Sequence, residues 1–143
     1  MLVKDIMTPN VKCTQPKASL QQAARMMKDL DIGSLPVCGD NDRLVGMVTD
    51  RDITVRAVAE GQDPSTTLVR DVMTDKILYC YDDQDVSEAA QSMEDNQVRR
   101  LVVLNRDKRL AGIVSLGDVA VDTHDEQLAG HALEAISEPA GAR

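Results

Sequence analysis

Two pairs of polar residues have the types and the spacing that could bind a ligand. Thr49 is followed three residues later by Asp52, and Ser115 is followed at the same spacing by Asp118. Each pair lies where an apolar segment typical of a strand passes into a segment typical of a helix. A hydroxyl group at such a junction can donate a hydrogen bond to phosphate, and a carboxylate one turn later can accept hydrogen bonds from both hydroxyls of a sugar.

The same spacing also has an interpretation that needs no ligand. A Ser or Thr followed three residues later by an acid forms a capping box, in which the two side chains accept hydrogen bonds from backbone N–H groups at the start of a helix. Each motif taken alone favours this structural interpretation. The elements around the two pairs must therefore decide whether either of them binds a ligand.

Those elements belong to a tandem duplication. Residues 3–8 recur as residues 69–74, which is a shift of 66 positions, and residues 44–49 recur at the same shift as residues 110–115. No insertion or deletion interrupts the correspondence. The expected organisation is a repeat over 1–66, a second repeat over 67–122 and a helical tail over 123–143.

Each copy has the pattern of a βαββα unit. Ser19 with Gln22, and Asp85 with Glu88, predict capping boxes ahead of residues with one apolar helical face. Two short apolar runs separated by a polar turn follow, which is typical of two strands, and a second helix comes after them. One copy cannot bury its sheet and its helices alone. We therefore expect an α/β (α+β) fold in which two βαββα repeats pack about a pseudo-twofold axis.

The tail is expected to form an amphipathic helix. Apolar residues recur there at helical spacing: Leu128, Ala132, Leu133 and Ile136. This helix could pack on its own module or on a second chain. His124 and His131 are seven residues apart, which is wider than the usual spacing of two metal ligands on one helix, so we expect both to lie on a solvated face and to bind no metal.

The composition disfavours several classes of function. The 143 residues carry a formal charge of −8, so duplex nucleic acid and anionic membranes are poor partners. Cys13, Cys38 and Cys80 form no C-x-x-C pair, which argues against a zinc site and against a disulfide framework. We find neither an apolar run of the ~20 residues that a membrane span needs nor a signal peptide, and we expect a cytoplasmic protein. No set of residues supports catalysis, so we expect neither an enzyme nor a required cofactor.

The ordered motifs resemble those of a known family. They are an Asp-Ile-Met-Thr opening (Asp-Val-Met-Thr in the second copy), an alanine-rich first helix, a Leu-x-Gly-x-Val-Thr/Ser strand and an Asp three residues later. Together they resemble the tandem cystathionine beta-synthase (CBS) domain pair, or Bateman module, over about residues 3–122. The resemblance implies that clefts between the two repeats bind an adenosyl compound, with the Thr or Ser serving phosphate and the Asp serving ribose. Within such a module, the double occurrence favours at least one occupied site over two simple caps.

The resemblance also implies the walls of the two pockets. The segment after each opening would lie against the adenine, and the start of the strand that follows the first helix would form the opposite wall. The candidate wall residues are Val11, Lys12, Ile77, Leu78, Tyr79 and Pro36. Tyr79 or Tyr81 could stack on a base, although a tyrosine half-buried on a strand is the more common arrangement.

The two sites are expected to be unequal. The first copy has Asp50-Arg51 between its Thr and Asp where the second has Leu116-Gly117, and the second copy has Arg99-Arg100 where the first has Gly33-Ser34. Because arginine matches phosphate with a planar, permanently charged fork, we assign four cations to phosphates. These cations are Arg51, Arg56, Arg99 and Arg100. The alternative for each is an exposed side chain paired with a nearby acid.

The resemblance implies a regulatory sensor module that binds AMP, ADP, ATP or a related adenosyl compound and signals by changing the angle between its repeats. Modules of the family pair through exposed helices, so we expect a homodimer whose state an unidentified effector protein reads. The alternative is a ligand-free structural module for dimerisation or docking, which the capping-box interpretation supports.

Overall fold

A computed structural model describes residues 1–139, so the last part of the predicted tail, residues 140–143, lies outside the described residues. The chain forms two compact units. The central unit contains residues 12–77, and the terminal unit contains residues 1–11 together with residues 78–139. The compact units therefore divide the chain differently from the sequence repeats, because each unit includes the opening segment of the other repeat.

The elements confirm a mixed α and β fold, and the order from β4 to α5 is βαββα. In chain order they are α1 (Val3–Ile6), β1 (Thr8–Pro9), α2 (Leu20–Leu30), β2 (Ser34–Cys38), β3 (Leu44–Thr49), α3 (Asp50–Ile53), β4 (Tyr79–Tyr81), α4 (Val86–Asn96), β5 (Arg100–Leu104), β6 (Leu110–Ser115), α5 (Leu116–Asp122) and α6 (Glu126–Ser137). A π-helical turn over Thr54–Val58 continues α3.

In the terminal unit, four strands form a sheet in the order β1-β6-β5-β4. Strand β4 is parallel to β5, and the other two pairs are antiparallel. Helices α4, α5 and α6 cover a core of aliphatic side chains with Met93 at 0% exposure. Because the chain has no Phe or Trp, valines, leucines and methionine supply the volume of this core.

The central unit has the same arrangement of pairings, but only β2 and β3 are strands there, and isolated bridges replace the other two pairings. Strands β2 and β3 form an antiparallel hairpin in which Ser34 is opposite Thr49. A parallel bridge joins Thr14 to Val37, and an antiparallel bridge joins Met47 to Thr74. These two bridges occupy the places that the β4–β5 and β1–β6 pairs have in the terminal unit. The central unit has a separate aliphatic core that includes Leu20, which is fully buried.

The predicted start of the first helix is right in one copy and partly wrong in the other. Ser19 and Gln22 close the expected capping box, with hydrogen bonds of 3.1 and 3.0 Å. Asp85 is the N-cap of α4, but its carboxylate accepts from the Ser87 N–H at 3.0 Å. Glu88 accepts instead from the Gln84 side chain at 2.8 Å, so this box stays open.

The tail forms helix α6, which packs on the terminal unit, as in the first of the two expected arrangements. Ala132 and Ile136 are buried in the core of that unit, and Leu128 packs against it. Leu133 remains 48% exposed. Among residues 1–139, the structure contains no helix with the length and apolar character to cross a membrane.

Candidate functional site

The first hydroxyl–carboxylate pair closes a capping box at the junction of β3 and α3. Thr49 Oγ1 accepts from the Asp52 N–H at 3.0 Å, and Asp52 Oδ2 accepts from the Thr49 N–H at 2.9 Å. The Asp52 side chain is 15% exposed, and its other oxygen lies 3.9 Å from Arg56 Nε. The structural interpretation of this motif is therefore correct, whatever else the two groups bind.

The second pair has the same geometry at the junction of β6 and α5. Ser115 Oγ accepts from the Asp118 N–H at 3.1 Å, and Asp118 Oδ2 accepts from the Ser115 N–H at 2.9 Å. In each cap the hydroxyl serves only as an acceptor, and only one of the two carboxylate oxygens takes part. Since a hydroxyl can donate while it accepts, each cap still offers one donor and one further acceptor atom to a ligand.

The two arginines of the central unit differ in what they contact. Arg56 Nη1 donates to the Val72 carbonyl oxygen at 3.0 Å, in addition to its ion pair with Asp52. These contacts favour a structural role for Arg56 over phosphate binding. Arg51 is exposed beside Asp50, whose carboxylate accepts the Arg51 N–H at 2.8 Å.

The two arginines of the terminal unit lie beside the Ser115 cap. Arg100 is opposite Ser115 in the β5–β6 ladder, and the Arg99 carbonyl oxygen accepts from the Leu116 N–H at 2.9 Å. Both arginines line a groove of about 520 Å³ together with Ser115, Leu116 and residues of α6 that include Leu133. The described lining of this groove includes neither Asp118 nor Tyr79, so the groove gathers only part of the predicted site.

The predicted wall residues of the central unit are unequally accessible. Lys12 is exposed, Ile77 is half-buried, and Pro36 is buried within β2. The Pro36 carbonyl oxygen accepts from the Thr14 N–H at 2.9 Å. The Pro36 backbone is therefore engaged in the unit's own sheet.

In the terminal unit, Val11 and Leu78 are half-buried, and Leu78 packs against the core. Tyr79 is 45% exposed on β4, opposite Val102 of β5. The ring of Tyr79 meets the ring of Tyr81 edge-on at 5.7 Å between centroids, and the Arg106 guanidinium covers the Tyr81 ring at 4.1 Å. Tyr79 is therefore the more accessible of the two tyrosines, and its stacking on a base stays a prediction.

Sequence reasoning missed a buried carboxylate in the terminal unit. Glu94 of α4 has a side chain that is only 8% exposed, and its Oε1 lies 2.7 Å from Nδ1 of His131 on α6. The hydrogen bond to Glu94, followed by the negative charges of Glu94, Glu134 and Glu138, raises the pKa of His131. The signal was available, because Glu94 follows Ala90 by four residues and so shares its apolar helical face.

No three His, Cys, Asp or Glu side chains within residues 1–139 are grouped so that they could hold a metal ion. The polar groups that the fold does bring together are hydroxyls, carboxylates and arginines at two strand–helix junctions. This set suits a ligand with phosphate and sugar groups.

The chain belongs to the CBS domain family, whose model matches residues 3–58 and 69–121. The Hypoxic response protein 1 of Mycobacterium tuberculosis is 43% identical over 117 residues, which cover 82% of this chain and 81% of that protein. Among solved structures, CBSX2 in complex with AMP matches with a TM-score of 0.74 and 28% identity, over 88% of this chain and 98% of CBSX2.

The CBS domain pair of protein MJ0100 was solved in complex with 5′-methylthioadenosine and S-adenosyl-L-methionine. It matches with a TM-score of 0.75 and 26% identity, over 84% of this chain and 93% of the pair. The predicted family and fold class are thus confirmed. This chain is a CBS-domain pair, and such pairs in two similar structures bind adenosyl compounds.

Proposed function

We propose that this protein is a regulatory module that binds an adenine nucleotide or a related adenosyl compound and catalyses no reaction. The ligand would use the Ser/Thr-x-x-Asp junctions, with the hydroxyl donating to phosphate and the carboxylate oxygen that the cap does not use accepting from ribose. AMP, ADP, ATP and S-adenosylmethionine are the candidate ligands, and none of them is a required cofactor.

The observation that carries this proposal is the duplicated junction. Thr49 with Asp52, and Ser115 with Asp118, have matching hydrogen bonds at equivalent places in the two units. The same fold binds AMP in CBSX2 and binds 5′-methylthioadenosine and S-adenosyl-L-methionine in MJ0100. The remaining predicted site residues belong to this proposal, with Tyr79 as the candidate for stacking on the base.

We further propose that the module acts in the cytoplasm as a homodimer and that an effector protein reads its ligand state. Apolar side chains on exposed helical surfaces could supply the contact between two chains. Val55 and Val58 of the π-helical turn are 46% and 59% exposed, and Val121 of α5 is 68% exposed. In this proposal the partners are a second copy of the chain and the effector protein, and neither nucleic acid nor a membrane takes part.

A ligand-free docking module remains the second candidate, because both junctions already close as capping boxes. The two candidates differ in their response to ligands. A ligand that binds only the folded chain stabilises it by about 2.7 kcal/mol at a concentration 100 times its dissociation constant.

The test is a thermal-shift series on the full chain with AMP, ADP, ATP, S-adenosyl-L-methionine and the matching guanine nucleotides. We expect a higher unfolding midpoint with adenosyl ligands only, and its loss in Asp52→Ala or Asp118→Ala. A flat response at millimolar concentrations of all adenosyl ligands would reject the sensor and leave the docking module.

A further inference from the structure

Two of the three cysteines lie beside each other in the central unit. A parallel bridge between Thr14 and Val37 joins the start of this unit to β2. Cys13 directly precedes one bridged residue, and Cys38 directly follows the other. Two backbone hydrogen bonds of 2.9 Å hold the bridge, from the Thr14 N–H to the Pro36 carbonyl oxygen and from the Cys38 N–H to the Thr14 carbonyl oxygen. The backbone around both cysteines is therefore fixed.

The side chains of the two cysteines lie on the same side of this bridge. Paired residues of neighbouring strands share a face, and successive side chains of one strand alternate between faces. Thr14 and Val37 are a buried pair, so Cys13 and Cys38 share the opposite face. There the Cys38 thiol forms a hydrogen bond with the Cys13 thiol. The backbone and the side chains thus both bring these sulfur atoms together, although the two residues are far apart in the chain.

The two thiols differ in accessibility and in protonation. Cys13 is half-buried, whereas Cys38 is buried at 3% exposure. Burial raises the pKa of Cys38 to about 12, with further contributions from the hydrogen bond and charge of Cys13 and from the charge of Asp42. Cys38 therefore remains a protonated thiol at neutral pH. Cys13 is the member of the pair that an oxidant in solution can reach.

The third cysteine provides a contrast within the same chain. Cys80 of β4 is 4% exposed, and burial alone raises its pKa to about 11. No second thiol contributes to that shift, whereas Cys13 contributes to the shift of Cys38. All three cysteines are free and lie within residues 1–139. Among them, the thiol pair is therefore confined to the central unit.

We propose that Cys13 and Cys38 are an oxidation site, at which hydrogen peroxide converts the two thiols into a reversible disulfide. The Cys13 thiolate attacks one oxygen of the peroxide, the O–O bond breaks, and hydroxide leaves while a sulfenic acid forms on Cys13. The Cys38 sulfur then attacks the Cys13 sulfur and the S–O bond breaks. The departing hydroxide takes the Cys38 proton and leaves as water.

The reaction is balanced, because two thiols supply the two electrons and two protons that convert one peroxide into two waters. A dithiol reductant reverses it by thiol–disulfide exchange. In a reducing compartment such a disulfide is transient and serves redox sensing. The bond attaches the start of the central unit covalently to β2, and it stabilises the fold by constraining the unfolded chain. It requires no adenosyl ligand and is therefore independent of the proposed function.

The experiment starts from the full chain, which is reduced with a phosphine, separated from the reductant and treated with a small molar excess of hydrogen peroxide. Iodoacetamide in urea then labels every remaining thiol, and intact mass spectrometry counts the labels. The reduced chain should carry a label on each of its three cysteines. The oxidised chain should carry one label, on Cys80, and peptide mapping should show Cys13 linked to Cys38. Dithiothreitol should restore all the labels.

Variants separate the roles of the two thiols. Cys38→Ala should leave a sulfenic acid on Cys13 that dimedone traps, and Cys13→Ser should slow the oxidation of Cys38 by about tenfold or more, because that thiol is buried and protonated. Cys80→Ala, which also truncates a buried cysteine, is the matched control and should form the same cross-link at the same rate. In the unaltered chain, the disulfide should raise the unfolding midpoint by roughly 5–10 °C. Thermal unfolding of each reduced variant verifies that it is folded.

Several results would overturn the proposal. One is a disulfide between the Cys13 residues of two chains, which a non-reducing gel shows as a covalent dimer. Another is a sulfinic acid on Cys13 while Cys38 still takes up iodoacetamide, since the second thiol would then not have reacted. A cross-link that lowers the unfolding midpoint would show that the native backbone does not accommodate the bond. None of these results bears on the binding of adenosyl ligands.

Discussion

A Cβ atom added to Gly46 would lie 2.7 Å from the carbonyl oxygen of Thr74. The equivalent Gly112 has the same relationship with the carbonyl oxygen of Thr8, and an added Cβ there would also collide with the Met7 side chain at 2.9 Å from its sulfur. The glycine of the Leu-x-Gly-x-Val motif is thus required by the close approach of an opening segment. This contact attaches each opening segment to the compact unit in which it lies.

Replacing either glycine with alanine should therefore destabilise its unit. We expect Gly46→Ala and Gly112→Ala each to lower the free energy of unfolding by about 1–3 kcal/mol, because a backbone carbonyl cannot move aside as easily as a side chain. Urea denaturation measures the change. Gly130→Ala is the control, since nothing lies within 4 Å of its added Cβ, and in a helix it should stabilise by up to about 1 kcal/mol. Equal effects at all three glycines would contradict the close-contact explanation.

The sequence predicted the repeats, the element order and both strand–helix junctions, because each rests on local spacing that occurs twice. It could not predict which unit receives each opening segment. A shift of 66 positions shows that Thr8 and Thr74 are equivalent, but it does not show which strand each one contacts. The structure pairs Thr8 with Ile113 and Thr74 with Met47, so each segment crosses to the other repeat.

The candidate site could be predicted only in part for a similar reason. Spacing identified Thr49 and Ser115, since a cap is a local structure. The partners of long side chains are not local: Arg56 contacts Val72, 16 positions away, and Glu94 contacts His131, 37 positions away. The capping box expected at Asp85 failed because a nearer amide, that of Ser87, competes for the same carboxylate.

The two junction caps should contribute to stability without any ligand. Thr49→Ala and Ser115→Ala each remove the acceptor for one amide at the start of a helix, and each should cost about 1 kcal/mol in the free energy of unfolding. Thermal or urea unfolding of the ligand-free chain measures the loss. Thr49→Ser and Ser115→Thr keep the hydroxyl and should remain close to the unaltered chain. If the hydroxyl-retaining pair loses as much as the alanine pair, the caps are not the cause.

The three free cysteines should differ in their reactivity towards alkylation. Burial, together with a hydrogen bond to Cys13, raises the pKa of Cys38 to about 12, and burial raises the pKa of Cys80 to about 11. At pH 8 the thiolate fractions are then roughly 10⁻⁴ and 10⁻³, and the thiolate is the form that reacts.

Iodoacetamide should therefore modify the half-buried Cys13 first in the folded chain. Cys38 and Cys80 should react at a comparable rate only after unfolding in urea. Peptide mapping by mass spectrometry over a time course gives the three rates. Labelling of Cys80 as fast as Cys13 under native conditions would show that the core of the terminal unit opens far more often than its burial indicates.

The contact between His131 and Glu94 should make the docking of helix α6 depend on pH. The hydrogen bond to Glu94 raises the folded-state pKa of His131 above its ordinary value of about 6.5, with further contributions from the charges of Glu94, Glu134 and Glu138. A raised pKa means that the folded state binds the proton more tightly than the unfolded state does. The stabilisation is therefore complete below about pH 6.5 and is lost as the pH rises through the raised value.

Thermal unfolding between pH 5.5 and 8.5 should accordingly show a midpoint that decreases across this window. The decrease should exceed the pH dependence that the other titrating groups of the chain produce. His131→Gln should remove that component, because the amide does not titrate in this range. Glu94→Gln should reduce it, since the neutral amide no longer favours a charged imidazole while the charges of Glu134 and Glu138 remain, and NMR titration of the His131 ring should then show a lower pKa. A pH dependence that persists unchanged in both variants would mean that another group controls the stability of the terminal unit.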